Sequence, residues 1–600
     1  MSRKGGIRKR VLGANRDDDD CDDHEAAAAS SSRKGGVRRR LIARAEAAAS
    51  TSVDLPLLRS LKRDWSKGKL TSPQVQEYAS GAARQGAIGV SKVAAAGSHG
   101  RNPQHLQRSL ISLFGMPDGA PPFVWYKIPT AAGDQYHPFL LPHAWIAALY
   151  HHRHSLWESA MQGEDVAVVD FWESMATSTI VTKHPHLSLA DRARTLPLGL
   201  HGDGGAFSKQ ESLFVFTFNS LLGHGVTSAK RFLLTVIRKC DFSPETLQTI
   251  MDILSWSFNV ALTGLLPEVD WAGDACEERG YLAGRWRGSL VQVRGDWEFY
   301  TSVFRFPAWN AVDEMCWMCR ATGVGPLRFT ACGADAPWRG TRRSHEEYVE
   351  QLAAQGKELP TLLKKVVGLR LESVMIDVLH CVDLGIGAHI VGNVFWACVR
   401  KGVWDGTTQV EQVNGLDAEL RKHYKDTKEK SRLQGHLTPA RLRTDGGWPK
   451  LKAKGAAARH LARFAWDLAR RHLGPREAAV AQLLAYFYGV LDSQNMFMTD
   501  EAQRNVSAIG LRLCVLYSQL STASFDDGVK AWKSSPKLHM FQHLCEWQAA
   551  DYGANPRFCW TYADEDMVGH MVECAQTCHP HTLAATALYK WLLFSFGDAD

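Results

Sequence analysis

Apolar and polar positions form their clearest strand pattern between Leu196 and Arg238. Leu198 and Leu200 alternate with Gly199 and His201, and the stretch ends at Asp203-Gly-Gly205. Ser212–Leu222, rich in aromatic and β-branched residues, reads as a second strand. After a turn at Gly223-His-Gly225, Arg231–Arg238 reads as a third. The period then lengthens. Leu247, Ile250, Met251, Leu254 and Phe258 share one side of a helix predicted over 244–265. Ser289–Arg294 is a fourth strand, ending at Gly295-Asp296. The predicted order is strand, strand, strand, helix, strand, with an aspartate at the end of the first and fourth.

Helical spacing dominates elsewhere. Leu57, Leu58 and Leu61 share a face, ringed by Arg59, Lys62, Arg63 and Lys67, and a second helix starts near Ser72-Pro73. This basic pair suits either DNA or packing, with packing slightly preferred. A loop over 97–103 leads to a short helix over 106–114. Residues 122–195 are mixed, and Trp125, Trp145, Trp157 and Trp172 suggest a packed subdomain. Beyond Ala308 comes a Trp-rich loop with Cys316-Trp-Met-Cys319. Helices are then predicted near 345–367, 384–402, 408–426, 455–473, 476–493, 499–521 and 527–550. The first 50 residues read as a disordered basic tail. In it Arg3-Lys-Gly-Gly-Ile-Arg-Lys-Arg10 recurs as Arg33-Lys-Gly-Gly-Val-Arg-Arg-Arg40. Such clusters serve as nuclear-localisation signals, as grips on phosphate, or as nothing more than a solvated tail.

Composition narrows the class. A chain of 600 residues with 45% hydrophobic content is long enough for two to four units. A net charge of +7 fits an acidic polymer as partner. Thirteen cysteines without a secretory signal point to a reducing compartment. The longest apolar run, Leu384–Val399, is too short to span a bilayer, so no membrane partner is expected.

The strand order is that of the ribonuclease-H-like fold, in which the first and fourth strands are neighbours. That neighbourhood would bring Asp203 and Asp296 together. Taken alone, Asp203 reads as part of an Asp-Gly turn. Two aspartates on adjacent strands plus an acid on a later helix are, however, what phosphoryl transfer on nucleic acid needs to hold two divalent cations about 3.5–4 Å apart. Glu565 supplies the third acid if the helical stretch is an insertion into an α/β (α+β) catalytic core. Oxygen ligands suit Mg²⁺ or Mn²⁺. Cys316 and Cys319 pair with His539 and His543, one helical turn apart, as a closed set for a structural Zn²⁺ clasping the ends of the insertion. Cys332 and His345 are the rival ligands for a purely local site. The expected partition is a tail over 1–52, a mostly helical region over 53–190 and the first part of the core over 191–310. The Cys-x-x-Cys loop follows over 311–345, the helical insertion over 346–535, and the His pair with the rest of the core over 536–600.

In this arrangement the chain resembles a CACTA-like DDE transposase (the En/Spm, Chapaev and Plavaka group), similar in layout to the V(D)J recombinase catalytic core. The first aspartate of that group matches His201-Gly-Asp-Gly204, with Lys209 beyond. The second precedes a Cys-x-x-Cys by about twenty positions, and here Asp296 precedes Cys316 by 20. An Asp-x-x-His motif matches Asp377 and His380, a Lys-x-His-x-x-x-His element matches Lys537, His539 and His543, and the glutamate with glycine four positions on matches Glu565 and Gly569. The resemblance covers residues 190–580. It implies a polynucleotidyl transferase using Asp203, Asp296 and Glu565, with Asp377 and His380 in support. It also implies DNA as substrate, a homodimer that synapses two ends, and a nuclear location. Asp564 and Asp566 flank Glu565, and Asp377 competes with Asp296. No zinc-finger pattern for end recognition precedes the core, so Arg38, Arg39, Arg40, Lys62 and Arg63 fall to that task, and the basic residues between Lys425 and Lys454 would grip the backbone. A domesticated, non-cutting transposase, another ribonuclease-H-like nuclease, and a helical scaffold are the rival readings.

Overall fold

The computed structural model describes residues 56–97, 103–164, 167–443 and 446–596. The repeat-bearing tail, with Arg38, Arg39 and Arg40, lies outside the described residues. The chain is mixed α/β and mainly helical. Its strands are β1 (Val124–Ile128), β2 (Gln135–Phe139), β3 (Thr195–Ala206), β4 (Ser212–Ser220), β5 (Phe232–Arg238) and β6 (Arg287–Gly295). β1 and β2 form an antiparallel hairpin; the others form one sheet in the order β5-β4-β3-β6. β3, β4 and β5 are antiparallel, whereas β6 runs parallel to β3, with Gly202 opposite Gly295. A parallel neighbour requires a crossover, and the helix between β5 and β6 supplies it.

The principal helices are α1 (Pro56–Ser66), α2 (Ser72–Arg84), α3 (Pro103–Phe114), α4 (Pro142–His152), α5 (Thr246–Thr263), α6 (Trp297–Phe304), α7 (Gly387–Lys401), α8 (Gln409–Thr427), α9 (Ala462–His472), α10 (Pro475–Ser493), α11 (Asp500–Asp526), α12 (Pro536–His543), α13 (Tyr562–Gln576) and α14 (Leu583–Phe596). The two faces of the sheet differ. Even-numbered residues of β3 and β4 face α5 and α6: Phe218 packs on Phe258, and Phe216 on Phe299. Odd-numbered residues face α13. There a polar layer is buried, with His201, Asp203, Thr217 and Asn219 each at most 6% exposed. Burial of polar groups is costly unless they find partners.

Several predicted helices are shorter in the structure. The helix from His345 stops at Ala354 and a short turn resumes at Thr361–Lys365. Residues 527–535 are not helical; the chain re-enters a helix only at Pro536, which fits the first turn because it has no N–H to satisfy. The stretch 455–473 breaks at Leu461. The described part of 53–190 is mostly helical and also carries the β1–β2 hairpin. Among the described residues one helical stretch, Leu379–Lys401, is long and apolar enough to cross a membrane; 83% of its most apolar window is buried inside the protein.

Candidate functional site

Two glycines set the geometry around the aspartates. Gly202 and Gly295 sit opposite each other on β3 and β6, and a Cβ on either would come within 2.3 Å of the Phe299 ring. Only glycine leaves room for that ring to lie against the sheet. Phe299 belongs to α6, whose N-cap is Asp296, with its carboxylate accepting the Phe299 N–H at 2.7 Å. The same packing contact thus fixes the ends of both strands, and Asp203 and Asp296 each follow one of these glycines.

Asp203 is 6% exposed and accepts the Gly204 N–H at 2.6 Å. Burial, the facing Glu565 carboxyl and the Asp296 charge push its pKa up to about 9. Burial also raises Glu565, helped by Asp377, Asp296 and Asp564, and it raises Asp296. Ligand atoms of His201, Asp203 and Glu565 all lie within 4.8 Å of one another, a grouping that could hold a metal ion. Asp296 is not part of that tight group among the described residues, but lies close enough for its charge to act on both other acids.

The three consecutive acids of α13 have different surroundings. Asp564 is fully buried and makes a two-pronged pair with Arg231, Nε to Oδ1 at 2.6 Å and Nη2 to Oδ2 at 3.1 Å, with Arg294 at 3.6 Å. Burial alone would raise its pKa, but the two guanidiniums hold it well below the usual range. Asp566 is exposed. Glu565 alone of the three joins Asp203 in the tight group. Replacing Arg231 with methionine would leave the Asp564 charge short of its main partner. The expected cost is about 3–5 kcal/mol, read from urea unfolding. A loss under about 1 kcal/mol would mean that Arg294 alone compensates Asp564.

Asp377 is 3% exposed and Asp377 Oδ2 lies 2.6 Å from His380 Nδ1. Asp377 Oδ1 accepts the Leu379 N–H at 2.9 Å and the Thr561 N–H at 3.2 Å. With these acceptors filled, Asp377 orients the imidazole, whose Nε2 lies 3.7 Å from Glu565 Oε1. Burial works to lower the pKa of His380, but Asp377, Asp203 and Asp296 together raise it. Lys537 donates to the His380 carbonyl at 2.6 Å, tying α12 to the start of the helical stretch Leu379–Lys401. Asp383 accepts hydrogen bonds from Tyr488 of α10 at 2.6 Å and Tyr562 of α13 at 2.7 Å.

The second donor set is fully buried. Cys316, Cys319, His539 and His543 place one ligand atom each within 4.8 Å of all the others. Cys319 Sγ is 3.3 Å from His539 Nε2 and 3.4 Å from His543 Nε2. Backbone N–H groups of Met318 and Ala321 donate to the two sulfurs. Trp338 packs edge-on against both imidazoles, and Trp547 stacks on His543 at 3.9 Å. Neither rival ligand joins this quartet. Cys332 Sγ donates to the Thr330 carbonyl, and His345 Nδ1 accepts the Leu371 N–H.

Beside Glu565 opens a cleft of about 750 Å³, lined by Lys454, Tyr562, Asp566, Trp591 and Phe594 among others. Lys454 brings the end of the basic run to its wall. Lys62 and Arg63 sit on α1, whose Trp65 is buried against Phe114 and Tyr589. That anchoring makes α1 a packing helix. Lys67, just past it, lies over the Phe594 ring. His201, Arg231 and Arg294 have no role legible in the sequence alone. An arginine inside β6 was the signal for Arg294, and an arginine directly before the apolar run of β5 the signal for Arg231. No protein-family model matches the chain, and no curated protein matches it.

Proposed function

We propose that the chain is a transposase-like DNA nuclease and strand transferase of the DDE type, built on a ribonuclease-H-like core with a helical insertion. The convergence of Asp203, Glu565 and the nearby Asp296 carries this reading. Three separate elements deliver these acids to one end of two parallel strands. The sheet order β5-β4-β3-β6, with only β6 parallel to β3, fits such a core. When bound between the carboxylates, Mg²⁺ or Mn²⁺ would activate the attacking oxygen and stabilise the leaving one. The chain's own side chains orient the acids. Asp377 fixes His380, His380 faces Glu565, and the Asp564 pair with Arg231 holds α13 against the sheet. Lys454 in the cleft suits the phosphates of DNA.

The cysteine–histidine set suits a structural Zn²⁺. Bonds of about 2.3 Å to sulfur and about 2.0–2.1 Å to nitrogen, in a tetrahedron, separate the two atoms by about 3.5 Å. The observed separations of 3.3 and 3.4 Å are close to that. A homodimer synapsing two DNA ends, in the nucleus, completes the reading. A nicking and strand-transfer assay with Mg²⁺ tests it. Glu565→Gln should lower the rate on the order of 10³-fold. Equal rates would take Glu565 out of the reaction. Metal-dependent DNA binding without cutting would favour a domesticated protein.

A further inference from the structure

His201 is the buried group that the reading above leaves unused. It is 1% exposed, and neither ring nitrogen has a hydrogen-bond partner. A buried polar atom left unpaired costs about 1–3 kcal/mol, so a native protein keeps one for a reason. The neighbours do not supply a partner. Asp564 is engaged by Arg231, and Arg294 donates to Gln292 and Asn219. His380, the other imidazole nearby, is held through Nδ1 by Asp377. His201 stands two residues before Asp203 on one strand, so the two side chains leave the same face of the sheet. A ring nitrogen of His201 lies within 4.8 Å of ligand atoms of both Asp203 and Glu565.

We propose that His201 is a nitrogen ligand of the metal held by Asp203 and Glu565, giving a mixed nitrogen–oxygen site that selects Mn²⁺ over Mg²⁺. The inference rests on the carboxylate site proposed above. Mg²⁺ binds oxygen almost exclusively and keeps much of its water, whereas imidazole suits the first-row transition dications. A buried strand position leaves little room for the water shell that Mg²⁺ prefers.

Pulsed electron paramagnetic resonance on Mn²⁺ added to the full chain, its cysteine–histidine site filled with diamagnetic Zn²⁺, decides the matter. The bound Mn²⁺ should show ¹⁴N modulation, replaced by a ¹⁵N pattern after labelling all histidines. His201→Gln should remove the modulation and weaken Mn²⁺ binding roughly 10–100-fold, with Mg²⁺ binding changed less than about threefold. His380→Gln should keep the modulation. Modulation that persists in His201→Gln, or disappears only in His380→Gln, overturns the assignment and leaves the carboxylate site standing. Absence of Mn²⁺ binding, or binding that Asp203→Asn does not weaken, overturns the carboxylate site with it. Should His201→Gln fail to fold, the labelled wild-type spectrum together with that of His380→Gln still decides: no ¹⁵N pattern sinks the proposal.

Discussion

Replacing Asp203 with asparagine is expected to stabilise the metal-free protein while abolishing DNA cleavage. In the folded chain Asp203 holds its proton up to about pH 9; unfolded, it ionises near pH 4. Between these values the folded state binds more protons than the unfolded state, so this group's contribution to stability falls as pH rises. Asparagine removes the penalty. At pH 8 the gain should be on the order of 1–3 kcal/mol, seen as a Tm rise of roughly 2–8 °C, and it should shrink towards zero below pH 4. Cleavage should drop on the order of 10³-fold. Calorimetry across pH checks the first effect and a nicking assay the second. A lower Tm at pH 8 would mean that the wild-type site accommodates the ionised carboxylate. For the same reason metal binding should release protons, measurable as a buffer-dependent heat.

Removing the metal clasp should have the largest effect on stability. Cys316 and Cys319 lie in a loop with little regular structure, and His539 and His543 lie on α12, more than 200 positions later. Structural Zn²⁺ in small domains is worth about 10–16 kcal/mol of apparent binding energy. Here Trp338 and Trp547 pack around the imidazoles and would retain part of the connection. Cys319→Ala should therefore lose one equivalent of zinc and on the order of 5 kcal/mol or more, enough to lower Tm by well over 10 °C. Cys332→Ala, which alters a buried thiol outside the quartet, should keep the zinc. Equal zinc content in Cys319→Ala and wild type would refute the clasp.

The strands that end at Asp203 and Asp296 were legible by local rules, whereas their neighbourhood was read from the order of the elements as a whole. Alternation marks the strands, and a single helix between β5 and β6 forces a crossover that returns β6 parallel to an existing strand. The cysteine and histidine spacings likewise carried their own geometry. The choice among Asp564, Glu565 and Asp566 was not legible. Successive helical residues turn by about 100°, so the answer depends on which side of α13 meets the sheet. That side is set by Arg231, 333 positions away from Asp564. The β1–β2 hairpin was hidden because two five-residue strands give too little pattern to separate from a packed tryptophan-rich segment. His201 was visible in its motif, but a lone histidine in an apolar strand gives no sign of what it faces.

The acids of the site are far apart in the order of synthesis. Asp203 and Asp296 leave the ribosome well before Glu565, which lies 362 positions after Asp203. At about 5–20 residues per second that gap lasts roughly 20–70 s. Once Cys319 has been made, the nascent chain carries two of its acids and both clasp cysteines while the clasp histidines and Glu565 are still to come. Under the function proposed above, a chain still lacking Glu565 could not cut DNA, and neither could the truncated products of a damaged message.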